Sequence, residues 1–320
     1  MDAIHFQASP RTEAEAEAIT AVRSWRKSRG PGTSGSPSHT EVDKQYPPSW
    51  RANPAGSELR GRWLRRLEEL EVIPSPERVA LLIIDVQHDF VHGSMAINGS
   101  PAIVPVINRL QETVSFDEVV VATDWHPPTH CSFRSAVAQH TRHPSSPPLD
   151  ADARRPEVVF TAPDGKSPMP QRLFPDHCVQ GSAGAELAAG LRPRDGHLLV
   201  RKGSEAGVDS YSAFFDNLRL RSTGLEDDLA ARGINTVLVC GLALEGCVAA
   251  TARHAAELGL DTFVVHDASR AGGGEEAART ALEELEKEHG VRAMSAAEAA
   301  ERWAATAGVP AEAQLSGPRL

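Results

Sequence analysis

The chain has 320 residues, of which 41% are hydrophobic, and this content suffices for one sizeable core. The formal net charge of -10 argues against a nucleic-acid partner. No apolar run reaches the roughly 18 residues of a membrane span, so no membrane partner is expected.

The N-terminus and the cysteine content both predict a cytoplasmic protein. The first residues, MDAIHFQASPRTEAEAEAI, contain acidic side chains and lack the apolar core of a signal peptide. Four scattered cysteines are too few for a disulfide scaffold and fit a reducing compartment.

Residues 1–56 differ in composition from the rest of the chain. They are rich in Gly, Pro and Ser and cannot bury a core, so we expect a flexible low-complexity extension. Local helices are predicted over 12–26 and over 57–72, where Ser57 is a suitable N-cap. Two interpretations remain open: a disordered tail with one docked helix, or an arm that binds a partner or mediates homo-oligomerisation.

From residue 78 onward, apolar strands alternate with helices. The predicted strands are VALLIID, EVVVATD, HLLVRKG, TVLVCGL, DTFVVHD and a short edge strand VRAM. The predicted helices cover 101–114, 184–191, 225–232, 247–258 and 275–289. This alternation predicts an α/β protein with a three-layer, Rossmann-like fold: a mainly parallel sheet of about six strands, flanked by helices.

The predicted domain organisation follows from these patterns. The expected segments are an extension over 1–56, a helical linker over 57–77, one α/β domain over 78–308 and a tail over 309–320. Within the domain, the Pro-rich and polar residues 134–172 predict a long surface insertion.

Polar and reactive residues follow several of the buried strands. They are Asp85, Asp124 with His126, Lys202, and Cys247 after a short turn. Ligands of open parallel sheets bind beyond the carboxyl ends of the strands. Each residue alone has an ordinary structural explanation, such as a loop cap or a solvated charge, but together they predict one site.

Asp85, Lys202 and Cys247 suit nucleophilic catalysis. A carboxylate can take the thiol proton, and a nearby ammonium favours the thiolate. Cys247 follows a buried strand at a predicted helix start, where the helix dipole should lower the pKa of the thiol. A lone cysteine is more often a small apolar residue, and that alternative holds for Cys247 taken by itself.

A second group consists of Asp124, His126, His130 and His177. Carboxylate and imidazole ligands suit zinc, iron or manganese, with water in the open positions. The Asp-x-His spacing alone is a weak signal, and the histidines could equally be ordinary loop residues.

Five stretches between Arg78 and Met294 carry a family resemblance. The chain resembles the nicotinamidases, members of the isochorismatase-like cysteine hydrolases, and the insertion resembles that of the longer, yeast-type nicotinamidases. The stretches are LLIIDVQHDFVHGSMAINGS, DWHPPTHCSF, LFPDHCVQGSAGAEL, KGSEAGVDSYSAFFDN and GLALEGCVAATA.

The resemblance implies roles for the reactive residues. Asp85 matches the general base, Lys202 its charged partner and Cys247 the nucleophile. Leu242–Ala243 matches a cis peptide that brings the N–H of Ala243 beside that of Cys247, as an oxyanion hole.

The resemblance also implies a metal site and a ring pocket. Asp124, His126 and His177 match the ligands of one divalent metal ion, with zinc favoured and iron or manganese as alternatives. His130 matches a position that is a ligand in some members. Phe90 and Phe174 match residues that line the nicotinamide pocket.

The sequence departs from the family at two positions. Gly246 stands where an aromatic residue usually precedes the cysteine, and Glu245 stands where Asp or Asn is common. These changes loosen one side of the expected site.

The resemblance implies conversion of nicotinamide to nicotinic acid and ammonia in NAD salvage, with pyrazinamide and similar aromatic amides as further substrates. One alternative is an isochorismatase-like hydrolase that acts on another amide or on a vinyl ether. A non-catalytic binding module is a second alternative, which the complete set Asp85, Lys202 and Cys247 disfavours.

Overall fold

Six strands of apolar, largely β-branched sequence form one parallel sheet in the computed structural model, which describes residues 77–150, 153 and 156–304. The sheet order is β5-β2-β1-β6-β7-β8, and every neighbouring pair is parallel. The strands are β1 Val79–Ile84, β2 Glu118–Asp124, β5 Leu198–Lys202, β6 Thr236–Leu242, β7 Asp261–Arg270 and β8 Arg292–Met294. Their placement confirms the predicted fold class.

Helices cover both faces of this sheet. They are α1 His88–Val91, α2 Ile103–Thr113, α3 Leu225–Ala231, α4 Ala249–Glu257, α5 Gly274–His289 and α6 Ala296–Arg302. Alternate residues of each central strand point to opposite faces. Leu81 and Ile83 of β1 therefore pack with α2 and α6, whereas Leu82 and Ile84 pack with α3, α4 and α5. Three layers result, with buried apolar side chains on both sides of the sheet.

The prediction of a helix over residues 184–191 is wrong. Only a short 3-10 turn, Ala183–Ala185, forms at its start. Glu186 is extended and its carbonyl accepts from His88, and the N–H of Ala188 donates to Val86. Pairing with the loop after β1 therefore satisfies the backbone groups that a helix would have used.

The predicted surface insertion contains a β-hairpin that the sequence analysis did not predict. Strand β3, Glu157–Thr161, pairs antiparallel with β4, Pro168–Arg172. Val158, Phe160 and Met169 are buried in a small apolar cluster with residues outside the hairpin. The insertion is thus packed against neighbouring parts of the domain through a small separate apolar cluster.

Several predictions fall outside the described part of the chain. The helices predicted over 12–26 and 57–72, and the tail over 309–320, lie there, and the predicted domain bounds stay predictions. Within residues 77–150, 153 and 156–304, no helix is both long enough and apolar enough to cross a membrane.

Gly241 lies at the carboxyl end of β6, where the backbone of β1 leaves no space for a side chain. Ile84 pairs with Gly241, whose φ is 123°. A Cβ added at Gly241 would lie 2.1 Å from the carbonyl oxygen of Ile84. The carbonyl oxygen belongs to the backbone at the end of β1, and the position of the Cβ is fixed by the backbone at the end of β6. The clash therefore cannot be relieved without shifting the sheet.

We therefore expect Gly241→Ala to lower the free energy of unfolding by at least about 2 kcal/mol, because it combines a backbone clash with a disfavoured φ. Urea denaturation followed by circular dichroism measures this change. Gly259→Ala is the matched control, since Gly259 also has a positive φ but a Cβ there would contact nothing within 4 Å. Equal losses for the two variants would show that φ alone matters.

Candidate active site

A buried ammonium group occupies the centre of the site. The side chain of Lys202, at the end of β5, is fully buried. Its Nζ lies 2.5 Å from Asp124 Oδ1, 2.9 Å from Asp85 Oδ2 and 3.4 Å from Cys247 Sγ. It also donates to the carbonyl of Ser210 at 3.2 Å. Lys202 thus joins the two groups of residues that the sequence analysis treated separately.

Parallel pairing explains why these residues meet. Asp124 and Lys202 are partners in the register of β2 and β5, and Asp85 follows β1 directly. Asp85 adopts a left-handed conformation with φ of 51°, and its N–H donates to the carbonyl of Ala122. A non-glycine residue in this conformation costs about 1–3 kcal/mol and is held by its surroundings. The left-handed turn occurs where the chain leaves the sheet.

Cys247 lies in a tight turn between β6 and α4. A π-helical turn, Leu244–Val248, precedes α4 and contains Cys247. The prediction that Cys247 lies in the first turn of a regular α-helix is therefore wrong. The Leu242–Ala243 peptide bond is cis, and the carbonyl of Ala243 accepts from Gly246 and Val248. Ala243 and Cys247 both line the cavity beyond the sheet.

The charges around Lys202 shift the pKa values of its neighbours in opposite directions. Burial, together with the Asp124 carboxylate, raises the pKa of Asp85 to about 7. Burial also disfavours the charged form of Asp124, but the Lys202 ammonium and His126 outweigh it and lower the pKa of that carboxyl. Burial alone would lower the pKa of Lys202, yet the Asp124 and Asp85 carboxylates raise it.

The thiol of Cys247 differs from the sequence expectation. Burial raises the pKa of Cys247 well above its usual range, and the Asp85 and Asp124 carboxylates add to the shift, although Lys202 opposes it. The expectation of a lowered thiol pKa is therefore wrong, because burial and two carboxylates outweigh one ammonium and the helix dipole. The thiol stays protonated and can donate to Asp85.

Asp124, His126 and His177 bring one donor atom each to a common point. Asp124 Oδ2 lies 3.4 Å from His126 Nε2 and 3.8 Å from His177 Nε2, and all three residues are buried. The Nδ1 atoms of the histidines lie 2.8 Å from the carbonyl oxygens of Gly203 and Pro175. Because a carbonyl can only accept, each Nδ1 carries a proton, and in the neutral imidazole the free lone pair is then on Nε2. This tautomer fits a divalent metal ion.

His130 lies beside this group rather than within it. Its ring stacks on that of His126 at 4.0 Å between centroids, and its Nε2 is buried without a hydrogen-bond partner. The nearest carboxylate to that Nε2 belongs to Asp209, at 3.9 Å. Burial and the neighbouring His126 lower the pKa of His130 to about 3, so its imidazole is neutral. Together, His126, His130 and Asp209 form a second group with suitable donor atoms.

Aromatic rings surround the histidines and line the cavity. Phe90 and Phe174 lie with ring centroids 5.5 and 5.9 Å from that of His177. Both line a cavity of about 590 Å³ that also reaches Asp124, His126 and Cys247. The structure therefore places both predicted pocket residues at the cavity wall.

Sequence reasoning missed several residues that support the site. Gln87 donates to the carbonyl of Asp124 and accepts from its N–H, both at 2.8 Å. Asp89 accepts from the N–H of Cys178, next to His177. Phe133 is fully buried and packs edge-on against His126 and His177. Gln87, Asp89 and Phe133 all lie in the stretches that carry the resemblance, but nothing in their spacing indicates a role.

Glu245 has a structural role that explains its length. Its carboxylate accepts from the N–H groups of Gly272 and Gly273, at 3.1 and 2.8 Å. These glycines lie between β7 and α5. Glu245 therefore ties the turn that holds Cys247 to the start of α5.

Comparisons with known proteins place this fold and site in a family. A family model described as Isochorismatase domain matches residues 79–298. The chain is accordingly an isochorismatase-like hydrolase, with the three-layer α/β fold described above. A curated relative, the nicotinamidase of Acinetobacter baylyi, is 40% identical over 193 residues, which cover 60% of this chain and 81% of the relative. The chain therefore belongs to the nicotinamidase family of the isochorismatase-like superfamily, and it is an amide hydrolase.

Solved structures agree with this assignment. PnC1 from L. infantum in complex with nicotinate is 32% identical, with a TM-score of 0.55, and covers 70% of this chain and 95% of its own. The pyrazinamidase of Pyrococcus horikoshii in complex with zinc is 26% identical, with a TM-score of 0.51, and covers 69% of this chain and 99% of its own. Both neighbours match over almost their entire length.

Gly203 provides a test of how the histidines are oriented. Its φ is 62°, and a Cβ at this position would lie 2.4 Å from His126 Cε1. Gly203→Ala should displace the His126 ring and weaken zinc binding by about 10- to 100-fold, because it disturbs the group that orients a ligand. Competition with a chromophoric chelator measures the zinc affinity.

Gly207→Ala is the control for this experiment, because a Cβ at Gly207 would meet nothing within 4 Å. Zinc affinity of Gly207→Ala should equal that of the unmodified chain. If Gly203→Ala also bound zinc normally while folded, orientation of His126 by Gly203 would be unnecessary for the metal site.

Proposed function

We propose that the chain is a metal-dependent cysteine amidohydrolase that converts nicotinamide and water to nicotinate and ammonia, a reaction of NAD salvage. The observation that carries this proposal is the position of the Lys202 Nζ, within 3.4 Å of Cys247 Sγ and closer still to Asp85 and Asp124. Nucleophile, base and metal-ligand group thus share one cation, and Cys247 lines the same cavity as Asp124, His126 and His177. Nicotinamidase relatives and a neighbour in complex with nicotinate support the substrate.

Asp124, His126 and His177 would hold the metal ion, and a zinc-bound neighbour supports zinc as its identity. When bound, a divalent ion supplies a Lewis acid that can take the lone pair of a pyridine nitrogen. Phe90 and Phe174 line the cavity beside His177 and would hold the aromatic ring. In this arrangement the carboxamide would face Cys247, which lines the same cavity.

Attack begins with proton transfer between two neighbours. The Cys247 thiol is neutral, so Asp85 must accept its proton as the sulfur attacks the carboxamide carbon. A carboxyl with a pKa of about 7 is well suited to accept that proton and to release it again. The Lys202 ammonium stabilises the developing thiolate and keeps Asp85 oriented.

The remaining steps use the same groups. The N–H groups of Ala243 and Cys247 would stabilise the oxyanion, an effect worth about 3–4 kcal/mol for each donor. Asp85 then gives its proton to the departing ammonia. After ammonia leaves, Asp85 takes a proton from water, which attacks the thioester and releases nicotinate and the free thiol.

The direct test is ammonia release by the purified full chain. Nicotinamide and pyrazinamide should each yield one ammonia for each acid formed. An isochorismatase-like hydrolase with another substrate would leave nicotinamide intact, and a binding module would release nothing from any amide.

Cys247→Ala should reduce kcat for nicotinamide by about a thousandfold or more, because no other residue can form the thioester. Asp85→Asn should cause a loss of similar size, since the thiol would keep its proton. Cys131→Ala serves as the control, because Cys131 is fully buried away from Lys202 and should affect catalysis little. A Cys247→Ala variant that kept several per cent of the rate would contradict the covalent mechanism.

Removal of metal should abolish turnover. Dialysis against a strong chelator is expected to eliminate ammonia release, and added zinc, manganese or iron should restore part of it. His126→Ala should raise KM and lower kcat together, because the same group both binds and orients the substrate. Full turnover by a chain that contains less than about 0.1 metal ion by elemental analysis would contradict this assignment.

A further inference from the structure

The cavity that contains Cys247 extends beyond the space that nicotinamide needs. Its volume is about 590 Å³. Cavities of about 300–1,000 Å³ enclose drug-sized ligands, so a single pyridine ring with a carboxamide leaves much of this volume unused. At one end lie Phe90, His126 and His177; Cys247 lies in the same cavity, which continues along α4 and α5.

Small residues leave this continuation open. Gly246 directly precedes Cys247, and a Cβ added there would contact only Ala243, at 4.0 Å. Ala249 and Ala250 of α4 are half-buried and line the cavity. Opposite them, Ala281 of α5 is another small residue. Among the described residues of α4 and α5 that line the cavity, the apolar ones are alanines, with the exception of Leu285.

We call this part of the cavity the α4–α5 groove. It is lined by Gly246, Ala249, Ala250, Ala281 and Leu285. Its walls are apolar, whereas Arg253, Glu284 and Glu288 line the same cavity with charged groups. These three side chains are exposed, so the groove reaches solvent. The groove therefore suits an apolar substituent whose far end meets water.

The chemistry of an amide indicates which part of a substrate would enter. The carboxamide carbon carries a ring, an oxygen and a nitrogen. The ring belongs at the Phe90 and His177 end, and the oxygen belongs at the N–H groups of Ala243 and Cys247. The nitrogen is left to face the rest of the cavity, which includes the α4–α5 groove.

We propose that this site also hydrolyses secondary amides, namely nicotinamides that carry an apolar N-alkyl or N-benzyl group. This inference rests on the proposed function. The Cys247 sulfur forms a thioester as the C–N bond breaks, and Asp85 passes the thiol proton to the departing primary amine. Water then hydrolyses the thioester to nicotinate and the free thiol. The leaving group is an amine instead of ammonia, and no further reactant is needed.

The experiment compares nicotinamide with N-methyl- and N-benzylnicotinamide, with amine and nicotinate release measured for the full-length, metal-loaded chain. Release of benzylamine at a kcat/KM within about a hundredfold of that for nicotinamide supports the proposal. If nicotinamide is hydrolysed but neither secondary amide yields an amine, the inference is wrong and the proposed function stands. If nicotinamide itself is not hydrolysed, the proposed function fails first.

A variant that fills the α4–α5 groove tests whether the groove binds the N-substituent or whether the enzyme accepts secondary amides without using it. Ala250→Trp should lower kcat/KM for N-benzylnicotinamide by about tenfold or more and leave nicotinamide turnover nearly unchanged. Ala230→Trp is the matched control, because Ala230 is an exposed alanine of α3 outside the cavity lining. Ala250→Leu makes the same comparison if the tryptophan variant does not fold. Equal loss for both substrates in the folded variant would contradict the groove as the place of the substituent.

Discussion

The buried ammonium of Lys202 is the interaction on which the site depends. A buried charge costs several kcal/mol unless it is paired, and Lys202 is paired with two carboxylates and one carbonyl. The shorter contact is to Asp124, whose pKa falls, and Asp85 is left with a pKa of about 7. Lys202 therefore keeps Asp124 ionised, whereas burial and the Asp124 charge leave Asp85 able to accept and release a proton near neutral pH.

This arrangement is a consequence of the parallel sheet. Strands β5, β2, β1 and β6 are neighbours and end at the same edge, so side chains far apart in sequence converge there. Hydrogen bonds to the backbone then orient individual residues. Gln87 bonds to both the N–H and the carbonyl of Asp124, and the carbonyl of Gly203 accepts from the His126 ring. The sheet thereby holds these ionised groups within a few ångströms of one another.

The sequence predicted which residues meet, but not how they act on one another. Asp85, Asp124, Lys202 and Cys247 follow apolar strands, and that pattern was enough to place them at one edge. The link between them through Lys202 depends on side-chain reach across β5 and β2, which no spacing along the chain reveals. The pKa of Cys247 was mispredicted for the same reason, since burial and two carboxylates become visible only in three dimensions. The extended path of Glu186 similarly depends on pairing with a distant loop.

Glu245 and Gly246, the two departures from the family pattern, have opposite effects on the same turn. A glycine before the nucleophile removes a side chain that could hold the turn in place, and its backbone has non-helical torsions there. The Glu245 carboxylate compensates, because it accepts from two backbone N–H groups at the start of α5 and so anchors the turn. The position of Cys247 relative to Lys202 can then be kept while the wall beside it is open. Substrate range can change through that wall without any change in the groups that perform the reaction.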